Sequence, residues 1–190
     1  MDTNIKFNSK TEENNILPIE KSIEIPKNMP SFIERYFECR YAINVNGKLN
    51  QDYRVLIHSN NLFILTIAPS HILMGNVIEK IDFQVSDNTD RSKNKMSGKG
   101  KRGAQVVQAG STLFKVTCSN KEEYKILSPV PGKLVEINAK LSDNPNLMLL
   151  NSDCLGFIAV VIPQKQRFEK IKNDLLTQDQ YHESISSNTE

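Results

Sequence analysis

Ser128-Pro129-Val130-Pro131-Gly132-Lys133-Leu134-Val135-Glu136-Ile137-Asn138 is the stretch on which the fold turns. Pro129 and Pro131 fix φ and remove two backbone donors, which excludes Ser128 to Gly132 from the middle of a sheet. Gly132 supplies a turn conformation that a β-carbon would oppose. Beyond it, Val135 and Ile137 fall on one face of an extended segment and Glu136 on the other. The connection Leu141-Ser142-Asp143-Asn144-Pro145 and the apolar run Leu155-Gly156-Phe157-Ile158-Ala159-Val160-Val161 follow. The whole reads as turn, strand, polar connection, last strand.

Upstream, extended stretches alternate with turn residues, the signature of an all-β unit. Tyr53 to His58 and Leu62 to Ile67 flank Ser59-Asn60-Asn61 as a hairpin, and Asn44 to Lys48 is a turn. Lys80 to Val85 alternates strictly, so one of its faces is wet. Ala104 to Thr117 reads as strand, turn at Ala109-Gly110, strand, and Tyr124 to Leu127 returns to the Ser-Pro turn. Before these strands, Ser31 caps a short helix over Phe32 to Phe37, with Glu34 completing a capping-box spacing. Phe32, Ile33, Tyr36 and Phe37 share one face, and burial of each would contribute about 1.5–3 kcal/mol. That face is expected to dock on the core. After Pro163 the apolar residues Phe168, Ile171, Leu175 and Leu176 are spaced by three or four, which predicts a helix laid on the strands.

The chain has 190 residues, 38% of them hydrophobic, enough for one good core but not for two domains of usual size. The expected organisation is a disordered tail over 1–29, a β domain over 30–165, a packed helix over 166–183 and a disordered tail over 184–190. The apolar runs around Leu62 to Ala68 and Phe157 to Pro163 are of strand length, far short of the roughly 20 residues that span a bilayer. Met1-Asp2-Thr3-Asn4-Ile5-Lys6 lacks the basic-then-apolar order of a secretory signal. Cys39, Cys118 and Cys154 are odd in number and far apart, which suits a reducing compartment. A protein of the cytosol, the nucleus or both is expected.

Net charge is only +2, yet Arg91, Lys93, Lys95, Lys99, Lys101 and Arg102 crowd into one segment with no acid between them. Such a run attracts acidic protein surfaces, polyanions or import receptors by a field that salt weakens. No aromatic lies between residues 91 and 102 to stack on a base, which disfavours a nucleic-acid partner. His58, His71 and His182 are far apart, and no histidines or cysteines stand at zinc-site spacing. Gly98-Lys99-Gly100-Lys101-Arg102-Gly103 lacks the spacing and the hydroxyl residue of a phosphate loop. Cys118, near Lys115 and Lys121, has no sequence cue for a partner base and reads as a half-buried structural thiol. His58 and His71 read as turn and core residues. No catalytic, cofactor or metal residue is assigned.

The Ser-Pro turn, the strand, the Asp-Asn-Pro connection and the Gly-aromatic strand together resemble the H-protein of the glycine cleavage system, a lipoyl carrier. The fold that this implies is mainly β, a barrel-sandwich hybrid of the lipoyl type, here with a short N-terminal helix and a C-terminal helix. Carriers of that family bear lipoate on a hairpin lysine shortly before the turn, and counting back reaches Lys121. The family's Glu-Ser-Val-Lys-Ala pattern reads Cys118-Ser119-Asn120-Lys121-Glu122 here, which argues against modification.

Pro30 to Phe37 resembles the opening of the Abitram family, also called Simiate, the actin-binding transcription modulators. His58-Ser59-Asn60, Ala68-Pro69-Ser70-His71, Ser97 to Gln105, Glu122-Glu123-Tyr124, Gly156 to Val161 and Leu175 to Tyr181 extend that resemblance over about residues 30–183. It implies a non-enzymatic protein that binds monomeric and filamentous actin. It further implies influence on polymerisation and filopodia, and residence in cytoplasm and nucleus, including nuclear speckles. The expected actin contact is the Arg91 to Arg102 segment. Two alternatives are a lipoyl or acyl carrier on Lys121 and a nuclear RNA-associated adaptor using the same cations. Self-association is left open.

Overall fold

Turn residues decide where each strand stops, and two sheets face each other across one apolar core. The computed structural model describes residues 29–187, so the N-terminal tail expected over 1–29 falls outside the described residues except for Met29. The larger sheet is antiparallel throughout, in the order β1 (Phe37–Ala42), β2 (Tyr53–His58), β3 (Phe63–Ile67), β11 (Ala159–Ile162), β10 (Gly132–Ile137) and β7 (Val106–Val107). Opposite lie β4 (Ile78–Asp82), β8 (Thr112–Cys118) and β9 (Glu123–Leu127), with a ribbon of β5 (Gln84–Ser86) and β6 (Thr89–Asp90) beside them. Among the described residues no sheet closes on itself, so the expected mainly β, lipoyl-type sandwich is present with its sheets not closed into a barrel.

Alternation builds the core. Tyr53, Val55 and Ile57 meet Phe63, Leu65 and Ile67 on the inner face, joined there by Val116 and Ile126 of the smaller sheet. The β2–β3 hairpin turns on Asn61 at φ 65°, while Asn60 Oδ1 accepts from the Leu62 N–H at 3.2 Å. Asparagine tolerates that left-handed conformation better than other residues that carry a β-carbon.

The deciding stretch departs from its simple reading in two ways. Gly132 is the first residue of β10 rather than a turn residue held at positive φ. A β-carbon there would sit 2.5 Å from Val161 Cγ1 and 2.6 Å from the Ile162 carbonyl, so close approach of β11 is what requires glycine. The inward residues of β10 are Leu134 and Ile137, because the pairing with β11 slips between Leu134 and Glu136. Val135 is the extra residue of a β-bulge, which resets the alternation.

Helices close the rims. The capping box of α1 (Phe32–Tyr36) forms as expected: Ser31 Oγ accepts from the Glu34 N–H, and the Glu34 carboxylate accepts from the Ser31 N–H at 2.6 Å. The expectation for its apolar face fails. Phe37 already belongs to β1, Phe32 is 62% exposed and Tyr36 51%. α2 (Leu147–Leu150) follows the Asp-Asn-Pro connection, and Asn146 just before it accepts from the Ile78 N–H at 2.9 Å and donates to the Ile78 carbonyl at 3.0 Å.

The single C-terminal helix expected over 166–183 is two. In α3 (Phe168–Asn173) and the turn beyond it, Phe168 lies 5.4 Å from Phe63, while Ile171 and Leu175 are buried. Leu176 then leaves the helix and bonds Tyr41 through both backbone groups, at 2.8 and 2.9 Å. Thr177 and Gln180 cap α4 (Gln178–Ser187) reciprocally. Helix therefore occupies 184–187, where a tail was expected, and 188–190 lie outside the described residues. Tyr181 holds α4 down: its ring stacks on Tyr41 at 4.1 Å and its hydroxyl donates to Ser70 Oγ at 2.8 Å.

Candidate functional site

The basic segment is an ordered loop built on the bulge of β10. A bulge leaves backbone carbonyls without ladder partners, and Asn94 supplies them: its amide donates to the Leu134 carbonyl at 2.8 Å and more weakly to that of Val135. The same side chain accepts from the Gln105 N–H at 2.8 Å, and the Gln105 carbonyl accepts from the Leu134 N–H. Gln105 then reaches back, donating to the Asp90 carbonyl and accepting from Arg91 Nη1, both at 2.8 Å. Both ends of the loop are thus fastened to one strand.

Between these anchors the chain folds tightly. Ser97 and Arg102 exchange two backbone hydrogen bonds at 3.0 Å, with Gly98 at φ 64° and Lys101 at φ 49° inside the turn. Gly103, at φ 82°, passes so near the Lys95 carbonyl that a β-carbon would lie 3.0 Å from it. Lys133 Nζ donates to the Gly100 carbonyl at 2.9 Å from outside the loop.

The six sequence-predicted cations do not act alike. Arg91 is 9% exposed, donates to Gln105 and to the Thr112 carbonyl, and burial lowers its pKa. It is a structural anchor rather than part of an exposed contact. Lys93 pairs with Asp90 at 3.1 Å, and the Ser92 hydroxyl, more than Lys93, holds that carboxyl below its usual range. Lys95, Lys99 and Arg102 are exposed and Lys101 is half-buried. Among the described residues none of these four has an ion-pair partner. Sequence reasoning missed Lys133 as a neighbour of the loop, since it is 33 residues from Gly100 and only the β10 pairing brings the two together.

Lys121 stands at the tip of the β8–β9 hairpin, at φ 66°, where the carrier reading put it. The residues around it do not fit lipoate attachment. Its ammonium is paired with Glu79 at 2.8 Å, and Glu122, which accepts from Tyr124, follows directly. Cys118 occupies the position of the family's acid. It is fully buried rather than half-buried, and burial raises its thiol pKa, which keeps it protonated and unreactive. His58 accepts from the Asn60 N–H in a turn, and His71 is buried in the core. Among the described residues no group of three or more histidines, cysteines or acids is placed to hold a metal, and no helix is long and apolar enough to cross a membrane.

The comparisons with known proteins agree with this architecture. The family model of the glycine cleavage H-protein matches residues 98–188. A glycine cleavage system H protein from Mycobacterium marinum superposes with a TM-score of 0.53 over 78% of this chain and 97% of its own, at 15% identity, a likeness of fold alone. Protein Abitram of Homo sapiens is 40% identical over 157 residues, covering 82% of this chain and 87% of its own. The Danio rerio protein is 36% identical over 162 residues, 84% of this chain and 92% of its own. The Dictyostelium discoideum protein is 35% identical over 158 residues, 81% and 87% of the two chains. Identity of this order along nearly the full length of proteins from such distant organisms makes the chain a member of the Abitram family.

Proposed function

We propose that this chain is a non-enzymatic actin-binding protein that regulates filament polymerisation, and with it filopodia, from a pool shared between cytoplasm and nucleus. The observation that carries the reading is the fixed loop tip. Lys99, Lys101 and Arg102 are displayed on a turn whose backbone is closed by the Ser97–Arg102 bridge and anchored through Asn94 and Gln105. With the backbone fixed this way, only side-chain freedom is lost when the cations meet an acidic surface, so more of the Coulomb attraction survives as binding. The same exposed run suits an import receptor, in keeping with nuclear speckle residence.

Cosedimentation of the full chain with actin filaments across a salt series tests the reading. Reversing Lys99, Lys101 and Arg102 to glutamate is expected to weaken binding by at least about tenfold at low salt and to flatten its salt dependence. Unchanged pelleting at low salt would remove the loop from the mechanism, and absence of pelleting by the unmodified chain would remove actin. Intact mass of native protein is expected to equal that of the bare polypeptide. A stoichiometric adduct abolished by Lys121→Ala would favour a carrier instead.

A further inference from the structure

We propose that the channel beside the Pro129–Pro131 turn receives an acidic peptide with apolar anchors, presented by a partner protein. The channel has a volume of about 740 Å³ and is open to solvent on one side. Its lining is largely apolar: half-buried Ile43, Pro131 and Leu176 join the buried Val130, Ile171 and Leu175. A smaller extension of about 80 Å³ shares Pro131, Arg167 and Ile171 with it and reaches Lys133 and Val106, the latter 59% exposed on end strand β7. The fold-deciding turn is therefore also the wall of a groove.

Charge identifies the occupant. Arg167 and Lys170 line the main channel and Lys133 the extension, against the one lining carboxylate of Asp174. None of these three cations has an ion-pair partner among the described residues. An apolar lining beside the exposed Arg167 and Lys170 complements a segment with carboxylates on one side and aliphatic or aromatic side chains on the other. An enclosed small molecule is a poorer match, because pockets that hold one bury most of its surface, and this channel stays open along a side. Strand addition at the wall is disfavoured, since two of its three residues are prolines with no N–H to offer. Lys133, whose ammonium donates to the Gly100 carbonyl, joins the extension to the basic loop, so Arg167 and Lys170 are the cations whose variants distinguish this contact from the loop's.

The test is fluorescence anisotropy with the full chain and a labelled synthetic peptide of about 15 residues, bearing leucines four apart and glutamates on the opposite face. Saturable binding that weakens with salt is expected, and a lysine-for-glutamate version of the peptide should not bind. Arg167→Glu with Lys170→Glu should weaken binding at least about tenfold, whereas Lys99→Glu with Lys101→Glu should leave it unchanged. If the reversed pair fails to fold, Arg167→Gln with Lys170→Gln serves, with an expected loss of about threefold or more. Equal loss in both pairs would show unspecific attraction and overturn the proposal. Absence of saturable peptide binding would overturn it too, as would binding only to phosphatidylserine vesicles through Arg167 and Lys170.

Discussion

At the scale of single residues, burial turns polar groups into commitments. His71 Nδ1 accepts from the Leu73 N–H at 3.1 Å, so the proton of the neutral ring sits on Nε2, which finds no hydrogen-bond partner among the described residues; the ring itself packs edge-on with Tyr53. Burial lowers the pKa of this histidine to about 4, from 6.5 for the free group. The unfolded chain therefore takes up the proton first. Stability from this residue is complete above about pH 6.5, declines as pH falls toward about 4, and is fully lost below, a total of about 3 kcal/mol. Urea unfolding at pH 7 and pH 4.5 should show this decline, and His71→Gln should make the dependence shallower. Arg91 is the counterpart among the cations. Its sequence neighbourhood suggested a surface charge because the partner that draws it inward, Gln105, is 14 residues away and belongs to no local pattern.

At the scale of elements, the strands and turns were legible and the irregularities were not. The hairpin of Tyr53 to His58 with Leu62 to Ile67, its Asn60-Asn61 turn and the Ser31/Glu34 cap each rest on local stereochemistry, and each is found. The bulge at Val135 depends on where β11 lies, which no property of Lys133 to Ile137 reveals. The face of α1 misled for a related reason: helical spacing shows that Phe32 and Tyr36 share a side, but only tertiary packing shows whether anything covers it. Of the candidate site, the cations of the tip were readable as a charge run, while the scaffold beneath them was not. That scaffold makes a direct prediction. Asn94→Ala leaves the Leu134 and Val135 carbonyls and the Gln105 N–H without their shared partner, and should cost about 2–4 kcal/mol. Hydrogen exchange should rise over residues 94–105 more than over β2 or β3.

At the scale of the whole molecule, a small net charge conceals two cationic surfaces, the tip of one loop and a channel beside the proline turn, which Lys133 joins. Both would act through fields that salt weakens, but only the channel adds an apolar lining, so binding there should persist further into high salt. Such a sandwich also has strand margins to protect, because it does not close into a cylinder. Leu176 occupies the margin of β1 at Tyr41, and the amide of Asn146 imitates a passing strand against Ile78. That side chain covers the Ile78 end of β4 against a neighbouring copy's backbone. Asn146→Ala should lower the unfolding temperature by several degrees, because the N–H and carbonyl of buried Ile78 lose their shared partner, and should also scatter light sooner on concentration, as the freed margin stacks into fibrous or amorphous material. Colloidal lifetime in a crowded cell would then depend in part on one carboxamide.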